Sequence, residues 1–152
     1  MKTKIEVFTE GQITFPFRGI TRGEIQKYLK RIAEILSLTD VSLSLILTDN
    51  EYIHGINRKY LQRDRPTDVI SFSYRDDPFP LSEGMVEHLG DIYLSLEMAL
   101  ENSGAYGVAF IDEVKRLMVH GILHLIGYDH ELSDEEDRKM REKEETILKL
   151  LK

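Results

Sequence analysis

Cysteine is absent from the 152 residues. This excludes disulfides and thiolate ligands, so any metal site must use histidine, carboxylate, carbonyl or water. Long apolar runs are also lacking, and none approaches the roughly 20 residues that span a bilayer. The opening Met1-Lys2-Thr3-Lys4-Ile5-Glu6 has no apolar secretory segment. The expectation is a soluble protein with no membrane association, placed in the cytoplasm. No internal repeat, low-complexity tract or linker interrupts the chain. Its length suits one compact domain, so residues 1–152 are read as a single domain. Positive charge is in deficit, with a net charge of −7. That argues against a general nucleic-acid-coating role.

What is present is unevenly placed. Residues 1–75 carry 12 basic and 9 acidic side chains, whereas residues 76–137 carry 2 basic and 15 acidic. The last 15 residues are basic again, with 6 against 3. A polyanion on one basic face therefore stays compatible with the total. With 41% apolar residues, a core can form.

Ile5 and Val7 alternate with polar neighbours, which predicts a strand over 4–8. Thr21-x-x-Glu24 is a capping box for a helix carrying Ile25, Tyr28, Leu29, Ile32 and Leu36. Val41, Leu43, Leu45 and Leu47 alternate as a second strand. Thr48-x-x-Glu51 predicts the cap of a helix that ends before Pro66. Strand formers fill 69–74 and 91–96, and the intervening 75–89 reads as a long loop. Helices are expected near 97–102, 108–125 and 134–151, the last capped by Ser133-x-x-Glu136. The fold class is α+β: a single small mixed sheet of about four strands covered by about five helices.

The densest chemistry lies in His120-Gly121-Ile122-Leu123-His124-Leu125-Ile126-Gly127-Tyr128-Asp129-His130. Helical positions four apart share a face, so His120 and His124 can converge on one ion. Gly127 suits a left-handed helix stop, which lets the chain bring His130 back beneath them. Three neutral imidazoles leave a fourth position for water, the layout of a catalytic metal site. One Zn2+ is the expected cofactor, on a zincin-like helix. Two histidines four apart often mean nothing; three with a glycine turn are harder to dismiss. The spacing resembles that of the metzincin metalloproteases, H-E-x-x-H-x-x-G-x-x-H. Gly121, however, stands where their glutamate base would be and cannot take a proton.

The block HGILHLIGYDH resembles the signature of the YbeY family of bacterial metal-dependent endoribonucleases. Asn57 to Tyr60, Asp64 and Pro66-Thr67-Asp68-Val69-Ile70-Ser71-Phe72 are similar to a second family segment, and Gly90-Asp91-Ile92 to a third. The three come in family order across the whole chain. The resemblance implies hydrolysis of single-stranded RNA, 3′-end maturation of ribosomal RNA of the small ribosomal subunit, ribosome quality control, and zinc on His120, His124 and His130. Many members carry an arginine where this chain has Leu61, so that residue's RNA-binding role does not transfer by position. Arg58, Arg63 and Arg65 are the candidate substitutes.

Read from the residues alone, 57–75 form a basic stretch, Arg58, Lys59, Arg63, Arg65 and Arg75, interleaved with Tyr60, Phe72 and Tyr74. This composition suits single-stranded nucleic acid. On the residues alone, a solvated helix face and two core aromatics, Phe72 and Tyr74, account for it better. Asp68 and Asp91 are read either as functional or as strand-opening turn residues. Asp129 could orient a ligand imidazole or hold the turn at Gly127. Tyr128 is expected to pack. His54, on a polar helix face, and His88, in the long loop, are expected at the surface. The general base is unassigned. The alternatives are a metzincin-like metalloprotease and a non-catalytic zinc-binding ribosome-assembly factor; a water-open metal separates an enzyme from the latter.

Overall fold

A computed structural model of the protein describes residues 3–76 and 86–152. Four strands, β1 (Thr3–Thr9), β2 (Val41–Thr48), β3 (Val69–Ser73) and β4 (Glu87–Ser95), form one sheet in the order β1-β2-β4-β3. β1, β2 and β4 run parallel and β3 is antiparallel to β4, so the sheet is mixed and β3 is an edge. The five helices are α1 (Arg22–Ile35), α2 (Asn50–Leu61), α3 (Leu96–Tyr106), α4 (Phe110–Leu125) and α5 (Asp134–Leu150). This is the expected α+β class.

The period-two pattern decides which face is dry. Val41, Leu43, Leu45 and Leu47 of β2, with Ile92 and Leu94 of β4, join one core with α1, α3, α4 and α5. The other face carries Ser42, Ser44, Asp91 and Tyr93, and α2 covers part of it. Ile46, Ile53 and Ile70 are buried there outside the main core.

Three expectations are corrected. The N-cap of α2 is Asp49, whose carboxylate accepts from Tyr52 N–H. Thr48 is instead the buried last residue of β2, and its hydroxyl donates to Leu94 O. The expected loop over 75–89 is ordered at both flanks: Tyr74–Asp76 form a 3-10 turn, and Glu87–Leu89 open β4 by pairing with β2. Residues 77–85 of that loop lie outside the described residues. α3 runs four residues past Asn102 and stops at Gly107.

Candidate metal centre

α4 approaches the sheet closely because residue 121 has no side chain. A Cβ there would lie 2.9 Å from Ile92 Cγ2 and 3.3 Å from Ser71 Oγ. The Ser71 hydroxyl donates to Gly121 O, and the Ser73 hydroxyl donates to Leu125 O one turn later. Edge strand β3 is thereby tied to the last two turns of α4. The helix then ends as its sequence predicts. Gly127 has φ +108°, Tyr128 N–H donates to Leu123 O (2.9 Å) and Gly127 N–H to His124 O (3.2 Å). This is the paired hydrogen bonding of a glycine helix stop. Tyr128 packs against the core.

The reversal brings the three predicted histidines together. One ligand atom from each of His120, His124 and His130 lies within 4.8 Å of the others. His124 Nε2 and His120 Nε2 are 3.1 Å apart. Two ligands on a tetrahedral ion with bonds of about 2.0–2.1 Å sit about 3.3 Å apart, so this pair fits a zinc-sized ion. Burial of His124, with smaller contributions from neighbouring His120 and His130, holds its pKa below the ordinary value. The neutral imidazole thus favoured is the form that ligates.

A carboxylate that sequence reasoning missed completes the cluster. His120 Nδ1 lies 2.6 Å from Glu144 Oε1 of α5. With the proton on Nδ1 donated to Glu144, the lone pair of Nε2 is directed at the cluster. The available signal was a glutamate in the apolar stripe of α5, between Met140 and Ile147, both buried. Asp129, the residue expected either to orient a ligand imidazole or to hold the turn, accepts from Glu131 N–H in its own turn (2.9 Å) and also lines the cleft beside the histidines.

That cleft has a volume of about 460 Å³ and runs from the histidines to the segment after α2. Arg63, Arg65 and Leu61 line it, as do Asp68 and Ser71. Asn57, buried, shapes this wall: its carbonyl accepts from Arg63 N–H and its amide donates to Arg65 O. Arg58 does not line the cleft. Asp68 caps Val69 N–H and accepts from Asn102 Nδ2. It thus joins a second polar group that the sequence did not reveal. Glu113, 1% exposed, accepts two hydrogen bonds of 2.8 Å from Arg116 and one from Asn102. Hydrogen bonding to Glu113 raises the Arg116 pKa against burial.

The other singled-out residues lie elsewhere. His54 is on the outer face of α2, paired with Asp64 at 2.7 Å. That hydrogen bond holds the Asp64 carboxyl below its usual pKa. His88 is in β4, not a loop, between Ser42 Oγ (2.7 Å) and Asp91 Oδ1 (3.1 Å). Asp91 is mid-strand and does not open β4. Tyr74 is exposed, not core.

Comparison with known proteins agrees with this geometry. A family model described as Endoribonuclease YbeY matches residues 15–152. Endoribonuclease YbeY of Aquifex aeolicus is 39% identical over 136 residues, covering 88% of this chain and 86% of that protein. Its counterpart in Carboxydothermus hydrogenoformans is 50% identical over 109 residues, covering 72% and 71%. The solution structure of TM1509 from Thermotoga maritima superposes with a TM-score of 0.63 at 29% identity, covering 99% of this chain and 89% of that one. The match in fold, in length and across the histidine block establishes that this chain belongs to the YbeY endoribonuclease family.

Proposed function

We propose that this protein is a zinc-dependent endoribonuclease of the cytoplasm that cuts single-stranded RNA. Following the family resemblance, its substrate is the 3′ end of small-subunit ribosomal RNA, in maturation and ribosome quality control. One observation carries the reading: three imidazoles converge in a cleft that Arg63 and Arg65 also line. His120, His124 and His130 would hold the ion, which when bound supplies Lewis-acid activation of water and charge stabilisation at phosphate.

The chain's own residues do the rest. Glu144 fixes the His120 ring and its tautomer. Arg63 and Arg65 bind phosphates beside the cluster, taking the role that Leu61 cannot. The Asp68–Asn102–Glu113–Arg116 group, centred on buried Glu113, holds the start of β3, and so the cleft wall, against α4.

A peptidase reading meets a physical obstacle. Residue 121 faces Ile92 and Ser71 at contact distance, so a glutamate there would have to push the Ile92 side chain aside. A purely structural metal is disfavoured because the cluster faces the cleft and His130 is exposed. The test is zinc-loaded protein, freed of trace nucleases, incubated with unstructured RNA and with a peptide library. RNA cleavage that a chelator stops and zinc restores supports the proposal. Peptide cleavage alone, or no cleavage of either, rejects it.

A further inference from the structure

Around the edge strand from the histidine cleft, the opposite face of the sheet holds a second pocket. It has a volume of about 290 Å³ and is lined by Tyr60, Phe72, Tyr74, Asp91 and Tyr93. Its walls are aromatic and mutually braced. Phe72 meets Tyr60 at 5.7 Å and Tyr93 at 5.9 Å, both edge-to-face, and Tyr52 stacks behind Tyr93 at 6.5 Å. The rim is open, with Tyr60 52% and Tyr74 47% exposed. The single charge among the lining residues is Asp91.

That carboxylate is held in place by a chain of hydrogen bonds. Tyr74 OH donates to Oδ2 (2.8 Å), His88 Nε2 contacts Oδ1 (3.1 Å), and Ser42 Oγ meets His88 Nδ1 (2.7 Å). Each carboxylate oxygen has a second lone pair. Asp91, which lines the pocket, therefore keeps acceptor capacity on both of its anchored oxygens.

We propose that this pocket receives an unpaired guanine of an RNA strand whose phosphates pass through the histidine cleft. This inference rests on the RNA reading above. Flat aromatic walls suit a nucleobase, because every base has a π-face. Among the bases, guanine offers two adjacent N–H donors, N1–H and N2–H, that match the two acceptors. Uracil offers one donor flanked by carbonyl oxygens that the carboxylate repels.

Two further observations favour RNA over other occupants. An apolar peptide side chain would leave Asp91 unmatched. A quaternary ammonium would suit the rings and the carboxylate, but the Lys59 ammonium already stands 5.2 Å from the Tyr60 ring at the rim. That cation suits a polyanion. The two pockets also adjoin: Leu61 and Ser71 line the histidine cleft, and their chain neighbours Tyr60 and Phe72 line this one.

The experiment measures binding of two ten-residue 2′-O-methyl oligonucleotides, oligouridylate and the same strand with one central guanosine. The wild-type chain of 152 residues is used, and strand length is verified afterwards. The guanosine strand is expected to bind roughly tenfold more tightly. Tyr60→Ala with Tyr74→Ala should weaken both strands and remove that preference. Asp91→Asn should erase the preference, bringing the two strands to equal affinity. Tyr74→Phe, which frees one anchor of Asp91 and keeps the ring, should reduce it partly. Circular dichroism checks folding of each variant. Equal wild-type affinity for the two strands, at an affinity that falls with salt, overturns the pocket and leaves the RNA reading standing. No binding of either strand at low salt defeats both. Movement of the Tyr74 and Tyr93 NMR signals by tetramethylammonium, but not by the guanosine strand, assigns the pocket to a cation and overturns the proposal.

Discussion

Besides the His54–Asp64 pair on the outer face of α2, two clusters among the described residues set a histidine against a carboxylate, and they are built differently. In the first, His120 gives one ring nitrogen to Glu144 and turns the other toward His124 Nε2, 3.1 Å away. In the second, His88 spends both nitrogens on oxygen partners, Ser42 and Asp91. Two imidazole nitrogens facing each other leave a lone pair that a cation satisfies. A histidine bonded on both sides offers no lone pair to a metal. Convergence of free ligand atoms, not the presence of histidine and carboxylate, distinguishes a metal centre from a structural relay.

The largest test of that contrast removes one ring from each cluster. His120→Ala is expected to weaken zinc binding by more than about 100-fold, beyond the roughly 10–100-fold that follows loss of an outer partner. His88→Ala should leave zinc stoichiometry and affinity unchanged. Elemental analysis and competition with a chromogenic chelator read both. Zinc affinity that survives in His120→Ala, His124→Ala and His130→Ala alike would remove the site.

The next effect is smaller and concerns the partners behind the rings. Glu144→Gln keeps the shape and removes the charge that orients His120. Zinc affinity should fall by about 10–100-fold. Ser42→Ala, the matching change behind His88, should leave it at the wild-type value. If Glu144→Gln binds zinc like the wild type, Glu144 packs α5 onto α4 and does not orient a ligand.

How far this contrast could be read from the sequence follows from range. The first cluster was legible because its three histidines sit within eleven residues, and one helix and one glycine stop fix their geometry. Gly127 was readable as a stop. Gly121 was readable only as a missing base, since its contact with Ile92 and Ser71 needs the register of α4 on the sheet. Glu144 is 24 residues from His120, and its place is set by how α5 docks. Ser42 and His88 are 46 residues apart and meet through the parallel pairing of β2 with β4, whose order no local pattern encodes. The same limit hid the Glu113–Arg116 pair's link to Asp68. The strands and helices themselves were legible from hydrophobic period, and the misses fell at ends. Thr48 carries a capping pattern, but burial in β2 takes its hydroxyl and gives the cap to Asp49.

Charge near the two clusters differs as well, which gives a third test. Arg63 and Arg65 line the cleft of the first, whereas Arg75 beside the second is paired with Glu87 at 3.2 Å. Reversing Arg63 and Arg65 to glutamate should weaken single-stranded RNA binding. If both contact phosphates, the salt slope should flatten by about 1.4, at roughly 0.7 for each lost contact. Zinc content should not change. Arg58→Glu, outside the cleft, should have the smaller effect. Wild-type affinity and slope in the double reversal would make the basic segment a solvated surface and move the RNA path elsewhere.

The smallest expected effect lies in the second cluster and is read in alkali. Its hydrogen bond to Asp91, then partial burial, raises the Tyr74 pKa above the ordinary value of 10.0. A raised phenol pKa means that folding favours the neutral form. Its contribution to stability is therefore fully present below pH 10 and declines as pH rises through the folded-state value, because the unfolded chain ionises first. Tyr74 is half exposed, so solvent screens much of this effect. Wild type should consequently lose stability somewhat more steeply above pH 10 than Tyr74→Phe, and the two should run parallel below it. Asp91→Asn removes the negative charge and should bring the Tyr74 titration, followed by ultraviolet difference absorbance against Tyr74→Phe, down toward 10. No corresponding change is expected from Glu144→Gln, which belongs to the other cluster. A Tyr74 titration that stays in place in Asp91→Asn would show that burial, not the hydrogen bond, sets it, and that Asp91 is not anchored as the relay requires.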